Sequence, residues 1–364
     1  MKIVFILQYY YPSVGGVEKL FKQLGEGLTN KGNTVRVITT RKSTNLPKWE
    51  IINGVEIIRT SFSNRILFAF FGFFKVYKFS KGFDIIHTST FNTAAIPAFV
   101  VSKLRNIKSV ITINENWGNL WFKLPYLMML ERILFWLFER IILNLPFDYW
   151  VAVSNYTLES IRNKKNLIRI YNGITYSEIK KANNYKYDFI HFGRLGVSKG
   201  LDLIIRATAK LKIRNPNIKL LLVVPNNNNR IMRKITSIIS ENNLTDNIVF
   251  KHNLSQKKLE EYLICSRSAI IPSYSEGFCF AAIESIAIGL PIISSGKGAL
   301  GEVVSGKYIT FSPFNSESLL KSMEVALEGK WIQKPVKKFE IKNTVDQYLA
   351  LYKKLQLTSF ELFE

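Results

Sequence analysis

Cysteine is nearly absent: Cys265 and Cys279 are the only two in 364 residues, and their spacing does not suit a metal. A disulfide framework is therefore not expected, and a reducing cytoplasm is the expected setting. Long uncharged apolar runs are also missing. ILFAFFGFF (66–74) is short, and the segment 120–147 is broken by Lys123, Glu131, Arg132, Glu139 and Arg140. Neither reaches the roughly 18–20 residues of a membrane span. Lys2 precedes an apolar run, Ile3 to Leu7, but no small-residue cleavage site follows. The run reads as a buried first strand rather than a signal peptide. Blocks of about five consecutive basic residues are absent, as is any nucleic-acid motif, so nucleic acid is not an expected partner.

Acidic residues are scarce, 27 against 50 Lys and Arg, for a net charge of +23. The excess is spread along the chain: 23 basic against 10 acidic in residues 1–170, and 27 against 17 in 171–364. Such a surface favours phosphate-bearing partners.

What is present is an α/β rhythm. Apolar strand candidates at 3–7, 34–40, 55–60, 84–88, 109–114 and 149–154 alternate with helical stretches, and IRIYNGI (168–174) makes a last strand and turn. The rhythm restarts at 189–195, 220–225, 247–250, 268–273 and 291–295. Near-continuous Val/Ile strands point to parallel sheets covered on both faces. At 364 residues the chain exceeds the usual single core. The expected domains are 1–174 and 189–342, joined by the polar linker 175–188, with a final helix within 343–364. Ligands of such folds bind at the carboxyl ends of the strands.

Two apolar stretches stand apart from this plan. In the second, Leu130, Ile133, Leu134, Leu137, Phe138 and Ile141 share one helical face, with the four charges of 131–140 opposite. That face either packs on the core or lies on an anionic membrane surface. The aromatic run 66–74 and the basic charge around both favour the membrane.

Three loops could carry chemistry. In PSVGGVEK (12–19), Gly15 and Gly16 allow close approach to the backbone before a helix N-terminus. In FGRLGVSKG (192–200), Arg194 and Lys199 follow a strand and suit a diphosphate. In SYSEGFCFAAIESIAIG (273–289), Glu276 precedes a helix that Glu284 sits within, and the N–H groups of Gly277 and Phe278 can receive a phosphate. Glu284 has Ala281, Ala282, Ile283, Ile286 and Ala287 as neighbours, so its carboxylate needs a partner, which ligand hydroxyls could supply. Of the histidines, His87 ends a strand, His191 reads as core, and His252 lies in a loop.

Taken together, GGVE, VSNYT (153–157), YNGI (171–174), GRLGVSKG and the E-x7-E of EGFCFAAIE followed by GLPII resemble the retaining GT-B glycosyltransferases of family 4. The motifs occur in the family's order along nearly the whole chain. The resemblance implies two Rossmann-like domains facing a central cleft, with the C-terminal helix returning to the first. It implies a nucleoside-diphosphate-sugar donor held mainly by the second domain. Arg194 and Lys199 would meet its diphosphate, Glu284 the ribose, and Glu276 the donor sugar; Gly15 and Gly16 would approach from the other domain. Members often act at the cytoplasmic membrane face on lipid-linked or glycan acceptors.

No Asp-x-Asp occurs, so no metal cofactor is expected. The sequence departs from the family in places. A histidine often found beside the donor sugar is here Asn114, followed by Glu115, and Asn can hydrogen-bond a hydroxyl but does not titrate. Glu115 and His87 are candidates for the acceptor or sugar side. The usual glycine-rich turn is PNNNNR (225–230), and His252–Asn253 replaces a glycine near the base pocket. The expected activity is retaining, metal-independent sugar transfer. The alternatives are a nucleotide-sugar epimerase of the same fold and a non-catalytic nucleotide-sugar-binding subunit.

Overall fold

The computed structural model describes residues 1–13, 15–61, 65–90, 93–176, 184–225 and 230–360. Half of the linker, 177–183, and the whole Asn run, 226–229, lie outside them. The chain divides into two units: residues 1–118, 133–175 and 339–364, and residues 119–132 with 176–338.

The first unit runs β1 (Lys2–Ile6), α1 (Gly16–Asn30), β2 (Thr34–Thr40), β3 (Trp49–Ile52), β4 (Val55–Thr60), α2 (Arg65–Phe79), β5 (Ile85–Ser89), α3 (Ala95–Leu104) and β6 (Lys108–Ile113). It continues with α4 (Met129–Asn144), whose first turn groups with the second unit, then β7 (Tyr149–Ala152), α5 (Asn155–Ser160) and β8 (Leu167–Arg169). The sheet order is β3-β4-β2-β1-β5-β6-β7-β8, parallel except at the β3–β4 edge. Successive side chains of a strand point to opposite faces. Val4 and Ile6 of β1 accordingly meet Phe68 and Val76 of α2 and Ala98 and Val101 of α3. Ile111 and Ile113 of β6 meet Ile142 and Leu143 of α4 on that same face. Phe5 points the other way, edge-on to Phe21 of α1.

The second unit runs β9 (Tyr187–Phe192), α6 (Leu201–Arg214), β10 (Leu220–Val223), α7 (Arg230–Glu241), β11 (Ile248–Lys251), α8 (Gln256–Ile264) and β12 (Ser266–Ile271). It ends with α9 (Phe280–Ala287), β13 (Ile292–Ser294), α10 (Leu300–Val303), β14 (Gly306–Thr310), α11 (Ser316–Leu327) and β15 (Ile332–Lys334). Its order is β11-β10-β9-β12-β13-β14-β15, again parallel except at the last edge.

The final helix, α12 (Ile341–Phe360), belongs to the first unit. It lies so close to α1 that a Cβ at Gly27 would sit 2.5 Å from Val345. The chain enters α12 past Gly173, where a Cβ would fall 2.4 Å from the Glu340 backbone; this is why the YNGI motif needs its glycine.

The apolar face of α4 does not pack on the core. Leu130, Ile133, Leu134, Leu137 and Ile141 are exposed, and the helix is held instead by Ile142, Leu143 and partly buried Phe138 near its C-terminal end. Glu139, which the helical periodicity puts on a charged outer face, is buried. Its two oxygens accept from the backbone N–H groups of Trp117 (2.8 Å) and Gly118 (2.7 Å) and so fix the loop after β6. Among the described residues no helix is long and apolar enough to cross a membrane.

Candidate active site

In the second sheet the chain winds outward from β9 through β10 to β11, then returns to place β12 beside β9 on the other side. The carboxyl ends of β9 and β12 therefore flank a topological switch point, where loops part and a ligand can enter. Both charged motifs arrive there. Lys199 follows β9, Glu276 follows β12, and Lys199 Nζ lies 2.7 Å from Glu276 Oε1.

The pair is firmly built. Ser273 Oγ donates to the same Oε1 at 2.6 Å, and Glu276 is only 6% exposed. Removing either partner of such a buried pair is costly, because it leaves an uncompensated charge. The backbone around the pair is clamped twice. Gly200 (φ +63°) would put a Cβ 2.1 Å from Pro272 O, and Gly298 (φ +64°) would put one 2.3 Å from Glu276 O. Each is a glycine for both the left-handed angle and the close approach. Tyr274 N donates to Ser198 O at 2.7 Å, and Ala299 N to Glu276 O at 2.7 Å, tying the two loops to their neighbours.

Gly277 and Phe278 are buried between Glu276 and α9. The turn is completed by Cys279, at φ +79°, an angle rare outside glycine, just before α9 begins at Phe280. The Cys279 thiol is pushed well up, first by burial and then by the Glu276 carboxylate, so it is not a nucleophile at neutral pH. Glu284 lies in the second turn of α9, on the half-open side it shares with Ala281 and Ala287; Ala282, Ile283, Ser285 and Ile286 are buried. Arg194 is exposed in the loop after β9, beside Gly193.

His191, read as core, is buried in β9, and its Nδ1–H donates to Ile270 O at 2.9 Å. The carbonyl only accepts, so Nε2 carries no proton, and burial lowers the imidazole to about 4. His252 stacks on Phe250 and donates from Nδ1 to Val224 O at 2.9 Å.

The remaining candidates lie in the first unit. Gly15 and Gly16 stand at the start of α1, whose first turn holds the buried Glu18. Asn114 follows β6; its backbone N–H donates to Thr90 Oγ1 at 3.1 Å, while its side-chain Nδ2 is buried without a partner. Glu115 is half-buried beside it. Asn172 of YNGI is 2% exposed, and its Oδ1 likewise has no partner. Ser154 of VSNYT caps α5 through a reciprocal bond with Thr157, a structural task.

His87 does not face a ligand. It is buried, with Nδ1 2.6 Å from Tyr352 Oη and Nε2 2.8 Å from Thr112 Oγ1, and burial lowers it to about 3. No local pattern marks this role, because Tyr352 lies 265 residues away. The contributions of Ser273 and Gly298 were missed as well. A serine three residues before Glu276 was a readable signal; the approach of Gly298 was not.

Among the described residues no cluster of three or more His, Cys, Asp or Glu side chains could hold a metal ion.

Two family models match: Glycosyltransferase Family 4 over residues 14–178 and Glycosyl transferases group 1 over 174–343. An uncharacterized glycosyltransferase of Methanocaldococcus jannaschii is 29% identical over 166 residues, 44% of either chain, so the match spans less than half of that relative. Sucrose-phosphate synthase from Thermosynechococcus elongatus has a similar fold, with TM-score 0.77 and 21% identity over 100% of this chain and 98% of that one. Anabaena HepE in complex with UDP-glucose gives TM-score 0.71 and 16% identity over 100% of this chain and 99% of that one. The two models join end to end across the two sheets, and the chain belongs to the group 1, family 4 glycosyltransferases of GT-B fold.

Proposed function

We propose that the protein transfers a sugar from a nucleoside-diphosphate sugar to a glycan or lipid-linked acceptor at the cytoplasmic face of a membrane, with retention of anomeric configuration and without a metal. The observation that carries this reading is the Lys199–Glu276 pair at the β9–β12 switch point. Lys199 and Arg194 offer positive charge to a leaving diphosphate, and the N–H groups ahead of α9 offer donors. Glu284 offers a carboxylate to ribose hydroxyls one to two turns further along. The UDP-glucose carried by HepE, which shares the fold, supports a nucleotide-sugar donor. The absence of Asp-x-Asp supports charge stabilisation by side chains.

In the reaction the bond from the anomeric carbon to the diphosphate oxygen breaks, and the acceptor oxygen attacks from the face that the diphosphate leaves. The acceptor proton passes to the departing phosphate oxygen. Glu276 is already engaged by Lys199 and Ser273, so its part is to hold the sugar and the lysine rather than to take the proton. In the first unit, the side-chain amide of Asn114 has no partner and can bond a hydroxyl without titrating.

The test is a panel of nucleotide sugars incubated with membrane extract, with the product linkage read by NMR. Release of nucleoside diphosphate with a product of retained configuration is the expected result. An inverted product overturns retention. An isomerised free nucleotide sugar marks an epimerase, and binding without turnover marks a non-catalytic subunit.

A further inference from the structure

Helices α2, α3 and α4 cover one face of the first sheet, because Val4, Ile6, Ile111 and Ile113 all point that way. The inner sides of these helices are well filled: Phe68 and Val76 are buried, and Gly72 is pressed onto the Phe68 ring, where a Cβ would come within 2.9 Å. Their outer sides are apolar too. Phe70 is 71% exposed and Phe74 68% on α2, Leu104 62% at the end of α3, and Leu134 54% on α4, with Leu137 and Ile141 continuing that ridge. Phe70 and Phe74 stand four residues apart, as do Leu137 and Ile141, so each pair forms a ridge along its helix. A soluble surface scatters such residues singly; apolar ridges on α2 and α4, with Leu104 exposed at the end of α3, mark a contact surface.

The charge around these ridges selects the occupant. From Arg65 to Phe83 the sequence has four basic residues and no acidic one, and exposed Lys75, Lys78 and Lys81 follow the phenylalanines directly. Lys103, Arg105 and Lys108 border α3, and exposed Arg140 sits within the α4 ridge. The carboxylates near this face are already engaged: Asp148 with Lys103, Ser109 Oγ and the Ser109 N–H, and buried Glu139 with the loop after β6. A second copy of the chain would bring the same sign of charge to a two-fold contact. An anionic bilayer meets both requirements, apolar depth for the phenylalanine and leucine ridges and negative headgroups for the lysines.

We infer that the α2–α3–α4 layer is a bilayer-docking face for anionic phospholipid, and that the acceptor is consequently a lipid-linked glycan presented at that surface. This rests on the glycosyltransferase reading for the acceptor, but not for the docking. The experiment is co-sedimentation of the full chain with phosphatidylglycerol and with phosphatidylcholine vesicles at low and high salt. The comparison variants are Phe70→Ser/Phe74→Ser, Leu134→Ser/Leu137→Ser and Lys75→Glu/Lys78→Glu. Nucleoside-diphosphate binding is measured on the same preparations, and because the altered side chains are exposed, it is expected to be unchanged. The chain is expected to bind phosphatidylglycerol vesicles at least tenfold more than phosphatidylcholine. Each double variant is expected to lose at least tenfold of that binding, and transfer to a lipid-linked acceptor is expected to fall with it. Transfer to a water-soluble acceptor without vesicle binding would overturn the docking face and leave the enzyme. Vesicle binding without donor turnover would overturn the enzyme and leave the face. A dimer in sedimentation that the phenylalanine variant dissolves would assign the face to a second copy and overturn the proposal.

Discussion

Both units cover a parallel sheet with helices, yet their outer surfaces follow opposite rules. On the second unit, α6 buries Leu201, Ile204, Ile205 and Leu211 and turns charges outward, and these pair with α11: Lys210 with Glu317, and Arg214 with Glu324 at 2.6 Å. On the first unit, α2 and α4 bury one apolar side and expose another. The carboxyl edges differ as well. The second sheet ends in a prepaired charged cluster held by two glycine clamps, and the first ends in amides with unused hydrogen-bonding capacity. One unit gathers paired charges around a fixed ionic site. The other turns the apolar sides of α2 and α4 outward, which suits contact with something outside the chain.

The sharpest way to break this comparison is at the ionic site. Lys199→Ala is expected to lower sugar transfer by at least about a hundredfold while leaving vesicle binding unchanged; wild-type turnover would remove the second unit's claim to the donor. Gly200→Ala meets both the left-handed backbone and the Pro272 carbonyl. It should cost roughly 2–4 kcal/mol, read as a lower urea midpoint, and a neutral effect would show that the clamp yields.

A third test compares the buried histidines, one in each unit. His87 and His191 are held at about 3 and about 4, below the usual 6.5. Between pH 6.5 and 4 the unfolded chain binds protons that the folded chain refuses. Their contribution is therefore complete above pH 6.5 and declines as the pH falls, by up to roughly 1.4 kcal/mol per unit for each histidine. His87→Phe should lower stability at pH 7, by stranding the Tyr352 hydroxyl and leaving Thr112 only its bond to Tyr348, and should flatten the acid slope. An unchanged slope in acid denaturation curves would refute this. The smallest effect belongs to the exposed pairs: Arg214→Ala should change stability by less than about 0.5 kcal/mol, and a larger loss would mean that the charged surface of the second unit is structural.

Much of this was legible in the sequence. The apolar strands 34–40 and 55–60 match β2 and β4 residue for residue, because largely buried strands announce themselves by composition. Short strands at or next to a sheet edge do not. β3, β14 and β15 are partly exposed, lack an apolar run and owe their form to a neighbour. Lys199 and Glu276 were readable because each follows a strand by a few residues in a Gly-containing loop; their mutual contact, across 77 residues, was not. Periodicity found the apolar face of α4 but could not say what it faces, since a heptad-like stripe looks the same against a core or a membrane. Glu139 and His87 misled for one reason: both satisfy partners distant in sequence, and the local pattern carries no trace of them.

The closure of α12 onto the first unit has a consequence for synthesis. The first unit begins with β1 and is completed only by a helix that starts at Ile341, so the chain of the whole second unit emerges before it. Until then His87 lacks Tyr352, Thr112 lacks Tyr348, and the α1 surface at Gly27 stands open. Nascent chains stalled short of α12 should thus carry a protease-resistant second unit beside a first unit that is still digestible.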